Sequence, residues 1–143
     1  MSMKVLSFLL AMSFVVMACS NDLRSPSDAF LIPQEKMEAV EKEADAGDLD
    51  AIRRLIAHYD ATSGNDAIAD KWRARARSLG DAQELYYYAA RTFTGAQSEL
   101  DPEKKRGMLA NALDAARRSY ASRSDESTQQ LLNKINQAAA NAQ

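Results

Sequence analysis

Three kinds of residue in this 143-residue chain could carry chemistry: one cysteine, one histidine and 20 carboxylates. Cys19 directly follows an apolar run and has no disulfide partner within the chain. His58 lies beside the apolar face of a helical segment, next to Tyr59. It reads either as a pH-sensitive contact or as a histidine at a core boundary. A metal site would need several His, Cys or carboxylate ligands to converge, and the acids here are scattered along helical segments. Pairs such as Glu38 and Glu41 have the right types for acid–base work. On so acidic a helix they read as a solvated face. There is no glycine-rich phosphate loop and no G-x-S-x-G nucleophile motif. The residues therefore predict no catalytic centre, no metal site and no cofactor.

Two other patterns point to binding. Between residues 35 and 50, seven acids (Glu35, Glu38, Glu41, Glu43, Asp45, Asp48 and Asp50) face two lysines. By contrast, Lys71, Arg73, Arg75 and Arg77 follow one another at alternate positions with no acid between them. On a helix such a run splays around the circumference, so one salt-bridge partner cannot serve them all; neighbouring acidic helices neutralise some. The second pattern is Tyr86-Tyr87-Tyr88. Three consecutive helical residues span about 200° of the circumference, so at least one ring must leave the core. Tyr and Arg are enriched at binding hot spots, which makes Tyr86, Tyr87, Arg73 and Arg77 the candidate partner-binding residues.

The elements that must position these groups begin after an N-terminal segment of different character. Lys4 precedes an apolar run, Val5 to Val16, about a dozen residues long. A transmembrane helix needs ~20 apolar residues; this run has the length of a signal-peptide core. It ends at Val16-Met17-Ala18-Cys19, which resembles the bacterial lipobox. That resemblance implies a signal peptide cut before Cys19, a diacylglyceryl group on its thiol and an acylated new amine. Met17 is less usual than a small residue at its position. Several acyl chains anchor stably where one holds only marginally. Ser20 stands where an Asp would resemble an inner-membrane retention signal, so the resemblance implies an outer-membrane, periplasm-facing protein. Residues 20–28 are polar and form a tether of at most ~30 Å. Phe30-Leu31-Ile32-Pro33 ends it as an apolar patch expected to pack on the first helices. The expected organisation is a signal peptide over 1–18, the lipidated Cys19 and tether over 19–33, and a helical domain over 34–143. Without Lys4 the charge is one unit more negative than the −2 of the whole chain, which speaks against a nucleic-acid partner.

From residue 34 the apolar period is helical and no strand alternation is sustained. The pattern predicts an all-α fold of about six helices near 34–46, 49–61, 66–79, 82–94, 102–121 and 126–140. Gly47 and Gly80 stand where a helix must end. Asp48 and Asp81 follow, each placed to cap the next helix. Gly64-Asn65 separates two helices, and Asp101-Pro102 is a start signal. The short turns predict antiparallel hairpins.

The pair Gly47-Asp48 recurs as Gly80-Asp81, at a spacing close to the period of tetratricopeptide-type helix pairs. Ala69, Trp72, Ala76 and Gly80, with Ala44, Gly47, Asp48, Ala51, Leu55 and Tyr59, resemble the Sel-like repeat. The resemblance covers about residues 35–95 and implies a short right-handed solenoid of antiparallel helix hairpins. Two departures stand out. Thr62-Ser63-Gly64-Asn65 replaces the usual glycine-rich loop, and Gln83-Glu84 stands where an alanine is expected. The alternative reading is a plain helical bundle. Sel-like lipoproteins include periplasmic immunity proteins that neutralise antibacterial effectors, so the resemblance implies a non-enzymatic, protein-binding role. A scaffold for an envelope secretion or polysaccharide-export machine is the second reading, and a carboxylate-dependent periplasmic hydrolase a remote third.

Overall fold

The computed structural model describes residues 29–142. Cys19, the lipobox and most of the tether lie outside them. Among the described residues there are six helices and no strand: α1 (Gln34–Asp45), α2 (Leu49–Ala61), α3 (Asp66–Ser78), α4 (Ala82–Ser98), α5 (Pro102–Ser122) and α6 (Glu126–Asn141). The protein is all-α in this region. None of these helices is long and apolar enough to cross a membrane.

Local chemistry sets the helix ends. The Asp50 and Ala51 N–H groups donate to Asp48 Oδ1 at 2.8 and 3.0 Å. Those of Glu103 and Lys104 donate to Asp101 Oδ1, and that of Thr128 to Asp125 Oδ1. Each satisfies amides that a helix start leaves free. The α1–α2 and α3–α4 turns share one hydrogen-bond pattern, position for position. In the first turn, the N–H groups of Ala46, Gly47 and Asp48 donate to Lys42, Ala44 and Glu43 oxygens; in the second, those of Leu79, Gly80 and Asp81 donate to Arg75, Arg77 and Ala76 oxygens. Both turns require a left-handed residue, and Gly47 and Gly80 supply it at φ of 96° and 85°.

Burial divides into two cores. Val40, Ala44, Ile52, Leu55, Ile56 and Trp72 form the first, between α1, α2 and α3. Leu85, Ala89, Ala112, Ala116, Leu131 and Ile135 form the second, between α4, α5 and α6. Each large aliphatic side chain taken fully out of water stabilises the fold by ~1.5–3 kcal/mol. Small residues bring α4 and α5 close along their length: Ala89, Ala96, Ala112 and Ala116 are fully buried. A Cβ on Gly95 would lie 2.8 Å from the Met108 methyl. That packing carries α4 through Gly95 to Ser98 rather than ending it at 94, outweighing the ~1 kcal/mol helix cost of a glycine.

Consecutive helices pack on one another, but α3 and α4 meet only along a short seam. Ile68 of α3 and Leu79, which follows that helix, are each 39% exposed. The apolar patch before α1 also divides. Ile32 is buried in the first core, and its N–H donates to His58 Nδ1 at 3.1 Å. Phe30 and Leu31 stay exposed. His58 thus acts as the acceptor that ties this segment to α2.

Candidate functional site

The α3–α4 seam carries the most distinctive chemistry of the described residues. Ile56 and Asp60, one turn apart on α2, form one wall of a groove of about 260 Å³. Arg73 of α3 forms its floor, and Glu84, Tyr87, Ala90 and Arg91 of α4 form the other wall. Glu84, Tyr87 and Arg91 stand at i, i+3 and i+7, which places them on one face of α4.

Arg73 is partly buried and committed. Its guanidinium donates to Asp60 and, at 2.8 Å, to Asp70. The expectation that acids on neighbouring helices neutralise part of the arginine run holds for this residue. Arg77 does something else: its guanidinium lies 4.7 Å from the centre of the Tyr88 ring, in an adjoining groove with Arg91 and Thr92. Arg75 reaches the last carbonyls of α1, at 3.5 Å from Asp45 O.

The tyrosine triplet splits as helix geometry requires. Tyr86 and Tyr88 are half-buried against the second core. Tyr87 is 47% exposed, and its hydroxyl accepts a 3.3 Å hydrogen bond from Gln83 Nε2. Of the four candidate binding residues, the structure brings Arg73 and Tyr87 into one groove. It places Tyr86 on the α6 side of α4, near Arg123 and Asp125, and Arg77 on the neighbouring surface.

Two acids at the start of α4 complete the site and stand out less in the sequence. Asp81 is fully buried. Its Oδ1 accepts from Glu84 N–H at 2.8 Å, and its Oδ2 receives the Arg53 guanidinium of α2 at 2.6 and 2.9 Å. It therefore caps α4 and ties it to α2. Glu84 is 9% exposed, and among the described residues no donor reaches its Oε2. Burial holds the Glu84 carboxyl above the ordinary glutamate range; Arg73 pulls it down and Asp81 pushes it up. The replacement of an expected alanine by Gln83-Glu84 was the sequence signal for this residue.

That shift has a definite sign. A carboxyl raised in the folded state binds more protons there than when unfolded, so its contribution to stability is complete at low pH and lost as pH rises through the folded value. Glu84→Gln cannot ionise. The variant should be more stable than the parent by about 1 kcal/mol at pH 8, a gap that closes towards pH 4. Urea titrations of both proteins at several pH values check this.

A larger cavity, about 620 Å³, lies at the other end of α4, beneath the exposed Leu100. Its one carboxylate, Glu99, is already satisfied: it pairs with Lys104 at 2.8 Å and accepts from the Leu100 and Asp101 N–H groups. Among the described residues no three His, Cys, Asp or Glu side chains gather as a metal site. Fold and site together define an all-α protein with a charged groove on the seam between two helical cores. No protein-family model, curated protein or solved structure matches the chain.

Proposed function

We propose that this protein is a periplasmic lipoprotein, anchored through Cys19 to the outer membrane. It acts there without catalysis as a protein-binding module, and specifically as an immunity protein that neutralises an antibacterial effector. The observation that carries the binding role is the seam groove, where a half-exposed tyrosine, partly buried Arg73 and the unpartnered Glu84 converge on about 260 Å³ of open space. Such a mixture of an aromatic ring, arginine and desolvated charge is the composition of a binding hot spot.

The architecture in this reading is a short Sel-like solenoid of helix hairpins. Its support is the duplicated Gly-Asp turn, with the same backbone bonds in both copies. A helical surface of this kind would act sterically, covering the mouth of the effector's active site.

The test is affinity capture from envelope extracts with the protein as bait and mass spectrometry as readout. Recovery of a secreted toxin supports immunity. Recovery of envelope-assembly components overturns it in favour of a scaffold. The tyrosines sharpen the test. Tyr87→Ala should weaken capture about tenfold with little change in stability, since an exposed hot-spot ring is worth ~1.4 kcal/mol or more. Tyr86→Ala should instead cost about 2 kcal/mol of stability, because its ring packs on the second core. Equal capture by Tyr87→Ala and the parent would remove Tyr87 from the interface.

A further inference from the structure

Glu84 stands where packing asks only for an alanine. At the same place after the earlier copy of the duplicated turn is Ala51. Ala51 and Glu84 are both buried, and so are the residues that follow them, Ile52 and Leu85. At the third position of a helix a glutamate often reaches back to the cap residue's N–H. Here that N–H, on Asp81, already donates to Ala76 O at 3.0 Å. The carboxylate thus serves neither packing nor capping, and its Oε2 has no donor among the described residues. A buried acceptor left so costs the fold free energy.

Most cations nearby are engaged elsewhere. Arg73 is held by Asp60 and Asp70, Arg53 by Asp50 and Asp81, and Arg77 stacks on Tyr88. Arg91 lines the groove without reaching Oε2. Among the described residues none of these cations reaches Oε2, and a charged donor forms the stronger bond to a carboxylate. The remaining walls are Ile56, Ala90 and the exposed Tyr87 ring, which suit a methylene stem beneath a charged head. About 260 Å³ is far more than the ~15 Å³ that a single water needs.

We propose that this groove receives one arginine or lysine side chain of a protein partner, whose charged head donates to Glu84 while its stem lies between Tyr87 and Ile56. The inference rests on the protein-binding reading above and names what that partner presents. Binding strengthens with rising pH, because the ionised carboxylate is the acceptor and burial raises its pKa. The charged groups around it are Asp60 of α2, Arg73 of α3 and Arg91 of α4, which line the groove with it, and Arg77 and Asp81, which act on it from outside that lining.

The test titrates acetyl-Gly-Arg-Gly-amide into the ¹⁵N-labelled protein, with the citrulline peptide as neutral isostere and the glutamate peptide as opposite charge. The arginine peptide should give saturable amide shifts at Ile56, Tyr87 and Arg91, with a Kd of ~1–10 mM, as suits a single side chain. Citrulline should bind at least about tenfold more weakly, and the glutamate peptide should not saturate. Glu84→Gln should lose at least about tenfold in arginine-peptide affinity while its Tm at pH 8 rises by about 4 °C. A residue that weakens binding when replaced, yet stabilises the fold, cannot be merely structural. Glu84→Ala, which restores the residue type of position 51, provides a second folded variant with the same expected loss. Equal affinity for arginine and citrulline, unchanged affinity in Glu84→Gln, or a lowered Tm overturns the proposal. Capture separates it from the wider reading. A partner held equally by the parent and Glu84→Gln overturns the cation receptor and leaves protein binding standing. Saturation by the arginine peptide with no captured protein supports the receptor and overturns the protein-partner reading.

Discussion

Arg53→Ala is expected to lower the stability of the fold by about 3 kcal/mol, and Asp81→Ala by only about 2 kcal/mol. The order runs against exposure: the Arg53 side chain is 47% exposed and the Asp81 side chain is not exposed at all. It follows from what each substitution leaves behind. Without Arg53, a carboxylate remains buried with no cation on it. Breaking a buried pair in this way costs ~3–5 kcal/mol, and water entering the gap brings the value to the lower end. Without Asp81, the α4 cap is lost, at ~1 kcal/mol, together with the tie to α2. The released guanidinium, however, swings into solvent and keeps its 2.7 Å contact with Asp50. Urea unfolding of both single variants and the double variant measures the pair. If Asp81→Ala proves the more costly, the cap rather than the buried charge dominates. Because the pair joins α2 to the start of α4, either change should also weaken binding at the seam groove.

The second large effect concerns attachment. If Cys19 carries acyl chains, the protein sediments with membranes. A form with residues 1–18 replaced by a general secretory signal and with Cys19→Ser should move to the soluble fraction. Each buried methylene contributes ~0.8 kcal/mol, so several chains hold firmly while none leaves only the weak affinity of the folded surface. Two readouts are needed. Intact mass of the parent should exceed the polypeptide beginning at Cys19 by a diacylglyceryl group and a further acyl chain, and fractionation should show the serine form released. A serine form that sediments like the parent would sink the lipid-anchor reading, and with it the expectation of how the domain is held.

Much of the helical framework was legible in advance because its determinants are local. The 3.6-residue period of apolar positions such as Ile52, Leu55 and Ile56 placed α2. Asp48, Asp81 and Asp101, each preceding a helix, accept the hydrogen bonds their positions forecast. The helix ends fall close to expectation except at α4, which runs longer because Gly95 packs against α5; no local pattern expresses that contact. The candidate site was legible only in part. Tyr87 and Arg73 were singled out by type and spacing and do meet in one groove; Tyr86 and Arg77 do not line it, although the Tyr86 ring lies edge-on 5.8 Å from that of Tyr87. Helical rotation predicted that the tyrosines must split. Which ring turns outward depended on where α5 and α6 lie.

The two Gly-Asp turns show where that division falls. By itself the sequence determined that both turns form, that glycine takes the left-handed position and that aspartate caps the following helix, because these bonds join residues no more than a few positions apart. Asp48 ends exposed and Asp81 buried, and Ala51 lies in a packed core while its counterpart Glu84 faces a groove. Only the tertiary structure decided this. The burial of a side chain, and so the worth of its charge, is set by the helix that crosses it. For Asp81 that helix brings Arg53 from 28 residues away, a distance in sequence at which no periodicity or turn signal speaks.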